Sequence, residues 1–138
     1  MMTIDYTTPY ISREEYLNAK GIDLAIELQD NDDGPTNKVD RFIKDITNFV
    51  MDYLFETYQT KDMDRYNSDF SSLQEFRRKR FHDGMIEQIN YVLNNGLIHL
   101  DAGINADTGT ITDFSKIDIN RTALRCFHLG AFCNVKRY

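Results

Sequence analysis

The stretch "NKVDRFIKDITNFVMDYLFETY", residues 37–58, decides the fold of this 138-residue chain. Its apolar side chains recur at steps of three and four residues, which is the pattern of one face of an α-helix. A helix of roughly 22 residues, rising about 1.5 Å per residue, would be about 33 Å long. A continuous apolar face of this kind is typical of a bundle core, and its members are Val39, Phe42, Ile43, Ile46, Phe49, Val50, Tyr53 and Leu54. The stretch therefore predicts an all-α domain built around this helix.

A second long helix is predicted after the polar connector "QTKDMDRYNSDF". Ser71 or Ser72 can cap its start, and Gly96 can end it after about Asn95. On a helical wheel, its core face consists of Phe81, Met85, Ile89 and Val92, flanked by Ile86 and Leu93. The two long amphipathic helices together predict a small helical bundle.

Short helices are predicted near both ends of the chain. Ser12 and Glu15 form a capping-box pattern before "REEYLNAK", and Gly21 stands where a left-handed C-cap would be. Asn120 can cap a last short helix, "RTALRCFHLG", which Gly130 ends. Both helices are too short to be stable without a neighbour to pack against.

Two further segments are harder to assign. In residues 22–36 apolar side chains alternate as in a strand, but the residue types favour helix, so we expect a short helical turn followed by a loop. Residues 97–119 are expected to be a loop or a small hairpin because turn-forming residues interrupt short apolar alternations; these are Asn105, Asp107 and Gly109. Residues 131–138 are expected to be a C-terminal tail. The predicted fold is thus one domain, residues 1–138, with short terminal helices and an irregular or hairpin insertion.

The composition is ordinary for a soluble globular domain, with 41 % hydrophobic and 28 % charged residues. Sixteen basic and twenty-two acidic residues give a net charge of −6, which argues against a dedicated nucleic-acid binder. The start "MMTIDYTTPY" lacks the features of a signal peptide, and no stretch approaches the roughly 18 apolar residues of a membrane span. We therefore expect an intracellular protein with no membrane partner. Cys126 and Cys133 are expected to be reduced thiols, because neither the pair nor a nearby histidine has zinc-ligand spacing.

Four consecutive cations lie in "LQEFRRKRFHDG", residues 73–84, and could belong to a nucleic-acid site or to the outside of a packed helix. On the helical wheel Arg77, Arg78, Lys79 and Arg80 point in all directions around the helix, whereas a helix that reads a DNA groove has one basic face. Glu75 stands four residues before Lys79, in the favourable order for an ion pair. Arg78 falls on the core-facing direction, so we expect it to need a carboxylate from elsewhere in the chain or from a neighbouring chain.

No pattern in the sequence indicates catalysis. The three histidines, at positions 82, 99 and 128, are scattered over different predicted elements. The chain has no nucleophile elbow, no phosphate-binding glycine loop and no zinc-protease motif. We therefore expect a protein that is not an enzyme and has no cofactor.

The order of these elements, with the opening "YISREEY" and the closing "INRTALRCFHLGAF", resembles the head–tail adaptor (connector) proteins of long-tailed bacteriophages. The resemblance extends from about Tyr10 to Phe132. It implies a structural virion protein, made in the host cytoplasm, that forms a ring of typically twelve subunits between the portal protein and a stopper or tail-completion protein. The ring would extend the channel through which DNA passes without specific binding, and a net-acidic subunit would suit such a channel because it repels the DNA backbone. The alternative is a small helical DNA-binding or regulatory protein that uses the basic run 77–80.

The resemblance also assigns expected contact residues. The C-terminal segment is expected to reach the portal, through Val135, Lys136, Arg137 and Tyr138. The 97–119 segment is expected to meet the stopper or tail protein, through Asn105, Asp107 and Thr108. Contacts between ring subunits are expected to pair Arg78 or Arg80 with Asp40 or Asp52. The chain departs from the family's pattern in this tail, which is brief and ends directly in "NVKRY".

Overall fold

The computed structural model describes residues 4–28, 38–57, 70–94, 104–105, 110–111 and 119–133. These ranges contain five α-helices, one turn of 3₁₀-helix and one antiparallel pair of two-residue strands. In chain order the elements are α1 (Arg13–Lys20), α2 (Leu24–Glu27), α3 (Lys38–Thr57), a 3₁₀ turn (Phe70–Ser72), α4 (Glu75–Asn94), β1 (Ile104–Asn105), β2 (Thr110–Ile111) and α5 (Arg121–Leu129). The predicted all-α class, with two long helices and short helices near the ends, is confirmed.

Helix α3 buries the apolar face that its sequence predicts. Six of the eight predicted core residues are buried, namely Val39, Phe42, Ile43, Ile46, Val50 and Leu54. The other two, Phe49 and Tyr53, are half-buried and pack at the edge of the core. Thr47 is also buried on this helix, and its hydroxyl donates to the Ile43 carbonyl at 2.7 Å, which satisfies the polar group inside the core.

Helix α4 begins later than its serines suggest. Ser71 and Ser72 lie in the 3₁₀ turn, and the first helical amides, those of Arg77 and Arg78, donate to the Gln74 carbonyl at 3.0 and 3.2 Å. Gln74 is therefore the capping position, and the predicted serine caps are wrong, because the chain makes one tight turn that buries Phe70 before the α-helix starts. All six residues of the predicted core face of this helix are buried.

Helices α4 and α5 lie antiparallel in close contact. The start of α4 lies against the end of α5, where Arg77 donates to the Gly130 carbonyl at 2.8 Å. Farther along α4, the Gln88 side-chain oxygen accepts a hydrogen bond from the Asn120 amide at 2.8 Å. Between these points Phe127 packs directly on Gly84, where a methyl group would overlap the ring. The predicted cap is also confirmed, since the Asn120 side chain accepts from the amides of the first turn of α5.

The N-terminal part of the chain forms a compact corner. Ser12 accepts from the Glu15 amide at 3.0 Å, and Gly21 ends α1 in the left-handed conformation with φ 72°, both as predicted. The predicted helical turn in the next segment is α2. Arg13 holds the two helices together by donating to both carboxylate oxygens of Asp23, at 2.8 and 2.9 Å.

Strands β1 and β2 are described within the predicted insertion. Their antiparallel register pairs Ile104 with Ile111 and Asn105 with Thr110, so the hairpin alternative applies to these residues. Strand β2 lies beside α3. The strand pair therefore lies on the side of the first long helix.

The predicted C-terminal tail starts inside the folded body. Phe132 is fully buried, and the centre of its ring lies 5.2 Å from the centre of the Phe81 ring. Cys133 is also buried. Ala131 takes the left-handed conformation with φ 65°, and this turn sends the chain from α5 back to the core. The body of the protein therefore extends to residue 133.

Candidate functional site

The four cations of the basic run have four different environments, as the helical wheel predicts. Arg77 and Arg78 are half-buried and point to different parts of the chain, while Lys79 and Arg80 are exposed. Lys79 forms the predicted ion pair with Glu75, at 3.3 Å. The run does not present a single basic face.

Arg77 fixes the end of α5. Its guanidinium donates to the Gly130 carbonyl at 2.8 Å and to the Ala131 carbonyl at 3.1 Å, and it lies 4.9 Å above the centre of the Phe132 ring. A cation at this place complements the partial negative charge of the helix C-terminus. This contact fixes the turn that follows α5, whereas the predicted portal-binding residues, Val135, Lys136, Arg137 and Tyr138, lie outside the described residues.

Arg78 has partners of a kind that the sequence analysis did not expect. It donates to the Leu73 carbonyl at 3.0 Å and to the Tyr6 carbonyl at 3.1 Å. The expectation that Arg78 needs a carboxylate is therefore corrected, because main-chain oxygens of its own chain accept its hydrogen bonds. Carbonyl groups carry a partial charge large enough to stabilise a half-buried guanidinium through charge-assisted hydrogen bonds.

A buried, hydrogen-bonded pair of a histidine and a glutamate lies one turn farther along α4. The His82 Nδ1 atom is 2.9 and 3.1 Å from the two carboxylate oxygens of Glu15, and its Nε2 atom is 2.7 Å from the Thr8 carbonyl. Because a carbonyl can only accept, Nε2 carries a hydrogen, and one further proton is shared between Nδ1 and the carboxylate. The side chains of His82 and Glu15 are only 1 % and 5 % exposed, so this pair joins α1 to α4 inside the protein.

The sequence pattern places Glu15 in a capping box and indicates no role for His82. The serine half of that box is present, but the Glu15 carboxylate faces His82. The one signal available was a histidine next to the core face of α4, since His82 follows the buried Phe81. Nothing in the sequence shows which acid from another helix would meet it.

The remaining predicted contact residues are spread over the molecule. Asp40 is exposed in the first turn of α3. Asp52 is half-buried and lines a cleft of about 360 Å³ along the same helix, together with Asp45, Asn48 and Phe49. Asn105 belongs to β1, while Asp107 and Thr108 lie outside the described residues.

A second cleft, of about 290 Å³, lies between α1, α4 and α5 and is lined by Ala19, Lys20, Asp83, Ile86, Glu87, Thr122 and Cys126. Lys20 and Glu87 form an ion pair across it at 2.7 Å. Partial burial raises the pKa of the Asp83 carboxyl, and burial together with the charges of Asp83 and Glu87 raises the pKa of the Cys126 thiol. A thiol with a raised pKa is a poor nucleophile at neutral pH, so this cleft does not activate Cys126.

Two exposed apolar side chains mark one end of the pair formed by α4 and α5. Phe76 is 53 % exposed and Leu129 is 50 % exposed. Phe76 precedes Arg77 and Leu129 precedes Gly130, and the hydrogen bond between Arg77 and Gly130 brings both apolar residues to the same end. We call Phe76 and Leu129 the apolar end; the described chain continues from Leu129 to Cys133.

In the described parts of the chain, no three or more His, Cys, Asp and Glu side chains are grouped so that they could hold a metal ion. Among the same residues, no helix combines the length and the apolar character needed to cross a membrane.

Comparison with known protein families, with curated proteins and with solved structures found no match to this chain.

Proposed function

We propose that this chain is a head–tail adaptor of a long-tailed bacteriophage, a structural protein that forms a ring between the portal and a stopper or tail-completion protein. The observation that carries the proposal is the apolar end. Phe76 and Leu129 are exposed at one end of the pair formed by α4 and α5, and Leu129 precedes by a few residues the C-terminal segment that is expected to reach the portal. Exposed apolar side chains at the end of a helix pair suit a surface that is covered on assembly.

The contacts made by the basic run, residues 77–80, favour an adaptor over a DNA-binding protein. Arg77 and Arg78 donate to carbonyls of their own chain, and Lys79 pairs with Glu75. Phosphate binding would require these cations to leave their present partners, and affinity for DNA depends on the number of phosphates that are neutralised. The net charge of −6 further disfavours attraction to a polyanion and suits a channel that DNA slides through.

Within the ring, we expect Arg80 to be the cation that contacts the next subunit. It is exposed, whereas Arg78 is bonded inside its own chain. Its partner would be Asp40, which is exposed, or Asp52, which lines the cleft along α3. A contact between two different surfaces of identical subunits closes into a ring when the rotation between subunits allows it.

The test is the mass of the purified protein in solution, measured by native mass spectrometry with and without the portal protein of the same phage. We expect a ring, either alone or only on the portal. The variant F76S/L129S should lose portal binding, while I26S, which removes an apolar side chain that is 73 % exposed on α2, should keep it. A protein that stays monomeric with the portal and binds duplex DNA with a steep salt dependence would contradict the proposal and favour the DNA-binding alternative.

A charge exchange tests the ring contact separately. R80E should weaken assembly, and D52R or D40R in the same chain should restore it if that acid is the partner. R125E, at an exposed arginine of α5, serves as the matched control. If R80E assembles as well as the unmodified chain, the predicted contact is wrong, although the adaptor function would remain.

A further inference from the structure

The N-terminal residues 5–11 cross α4 without forming helix or strand, and we call them the strap. Two side chains of α4 donate to its main chain. Arg78 binds the Tyr6 carbonyl at 3.1 Å, and His82 binds the Thr8 carbonyl at 2.7 Å. A third link joins the strap to α3, where the Tyr10 hydroxyl lies 3.2 Å from the Asn48 side-chain oxygen.

The strap lies over the buried pair of His82 and Glu15. The Tyr6 ring lies over the His82 ring, with 4.9 Å between their centres, and the Thr8 carbonyl occupies the outer nitrogen of the imidazole. With the strap in place the His82 side chain is 1 % exposed. The strap is thus one of the groups that keep water from His82, together with Glu15 of α1 and Phe70, whose ring centre lies 6.3 Å from that of the imidazole.

This arrangement balances opposing free energies. Residues 5–8, which lie over the pair, bury none of their own side chains, whereas Pro9 and Ile11 are buried and Tyr10 packs against the core. Removing water from two polar, titratable side chains is unfavourable unless they are hydrogen-bonded. Closure of residues 5–8 is thus opposed by desolvation and is favoured mainly by a few polar contacts.

We propose that residues 5–8 of the strap open as a unit while the helices and the buried Ile11 stay in place, and that this opening controls the access of solvent to His82 and to the strap-facing side of Arg78. Segments held by few buried apolar contacts open locally at a lower free energy than the whole protein. An open strap leaves a nitrogen of each side chain without its carbonyl acceptor. The strap is then a conformational device that sets how much of the basic run is exposed, and it does not depend on the adaptor function.

The test measures the rate at which diethyl pyrocarbonate modifies His82, with peptide mass spectrometry as the readout. His128, which is exposed on α5, serves as the internal reference for reagent activity. In the full chain without denaturant we expect His82 to react measurably but more slowly than His128. Low urea should leave the rate at His82 nearly unchanged, because local opening exposes little new surface.

Two variants separate strap opening from unfolding. R78Q removes one charge-assisted hydrogen bond to the strap and should raise the His82 rate roughly tenfold, as about 1.4 kcal/mol corresponds to a factor of ten. R80Q makes the same substitution at an exposed position of the same run and should leave the rate unchanged. Y6A, which acts on the strap and leaves α4 intact, should also raise it.

Several outcomes would overturn the proposal. His82 could react only at urea concentrations that also abolish the helical circular dichroism signal, in which case its exposure requires global unfolding. Equal His82 rates in the unmodified chain, R78Q and Y6A would likewise show that the strap contacts do not control access. If circular dichroism shows that R78Q is unfolded, the His82 rate in Y6A alone tests whether the strap controls access.

Discussion

The substitution Gly84→Ala tests the closest contact between α4 and α5. A Cβ atom built at this position would lie 2.7 Å from the Cζ atom of Phe127, well inside normal contact distance. Phe127 is fully buried, and its ring centre lies 5.1 Å from that of Phe81, so it has little room to move. Forcing an extra methyl group into a well-packed core destabilises a protein by about 1–3 kcal/mol.

Helix propensity acts in the opposite direction at this site. In an exposed helix, alanine is favoured over glycine by about 1 kcal/mol. At Gly84 we expect overpacking to exceed this gain and to leave a net destabilisation of about 1 kcal/mol. For a chain of this length that loss corresponds to a decrease of about 3–5 °C in Tm.

The assay is urea unfolding followed by circular dichroism, for G84A in two backgrounds. In the unmodified chain G84A should lower the free energy of unfolding. In the Phe127→Leu background the ring is gone, so G84A should become neutral or stabilising, and the difference between the backgrounds measures the steric coupling. If G84A stabilises both backgrounds by the same amount, the reasoning from the close contact is refuted.

Three further predictions concern the pair of His82 and Glu15, Asp83 in the cleft between α1, α4 and α5, and the Asn120 cap. Glu15→Ala should destabilise the fold by about 3 kcal/mol in urea unfolding, because it leaves His82 buried without its carboxylate partner; an unchanged midpoint would contradict the buried pair. Partial burial raises the pKa of the Asp83 carboxyl in the folded protein, so folding favours its protonated form. The free energy of unfolding is therefore unaffected by this group below about pH 4 and decreases as the pH rises through the raised pKa. D83N should therefore match the unmodified chain in acid and exceed it in Tm at neutral pH, and equal Tm values at both would be the contrary result. Asn120→Ala should remove about 1 kcal/mol of stability, because two amides of the first turn of α5 lose their acceptor. Calorimetry should show a lower Tm, and an unchanged Tm would contradict the role of this cap.

The helical elements could be predicted from the sequence because their apolar periodicity is local. The face of α3, the core face of α4 and the cap at Asn120 all depend on residues within a few turns of one another. The start of α4 was predicted too early, since Ser71 and Ser72 have capping chemistry but lie in a 3₁₀ turn. Which of several nearby polar residues caps a helix depends on how the preceding chain packs, and here the burial of Phe70 decides it.

The polar contacts of the site could be predicted only in part. The pair of Lys79 with Glu75 follows from spacing along one helix. Arg78 and His82 also donate to the carbonyls of Tyr6 and Thr8, which lie 72 and 74 residues away in sequence. Every residue carries a carbonyl, so sequence contains no signal for which one an arginine will reach.

The contacts of α4 with main-chain oxygen also have an evolutionary consequence. Arg77, Arg78 and His82 each donate to carbonyl groups, whose chemistry is the same whatever side chain the accepting residue carries. Mutations at an accepting position such as Tyr6 or Thr8 leave the hydrogen bond in place, whereas loss of a donor on α4 removes it. In descendants of this gene, the accepting segments are thus expected to diverge quickly in sequence while the three donors persist, so that related proteins share a pattern on one helix more than a recognisable sequence at the ends.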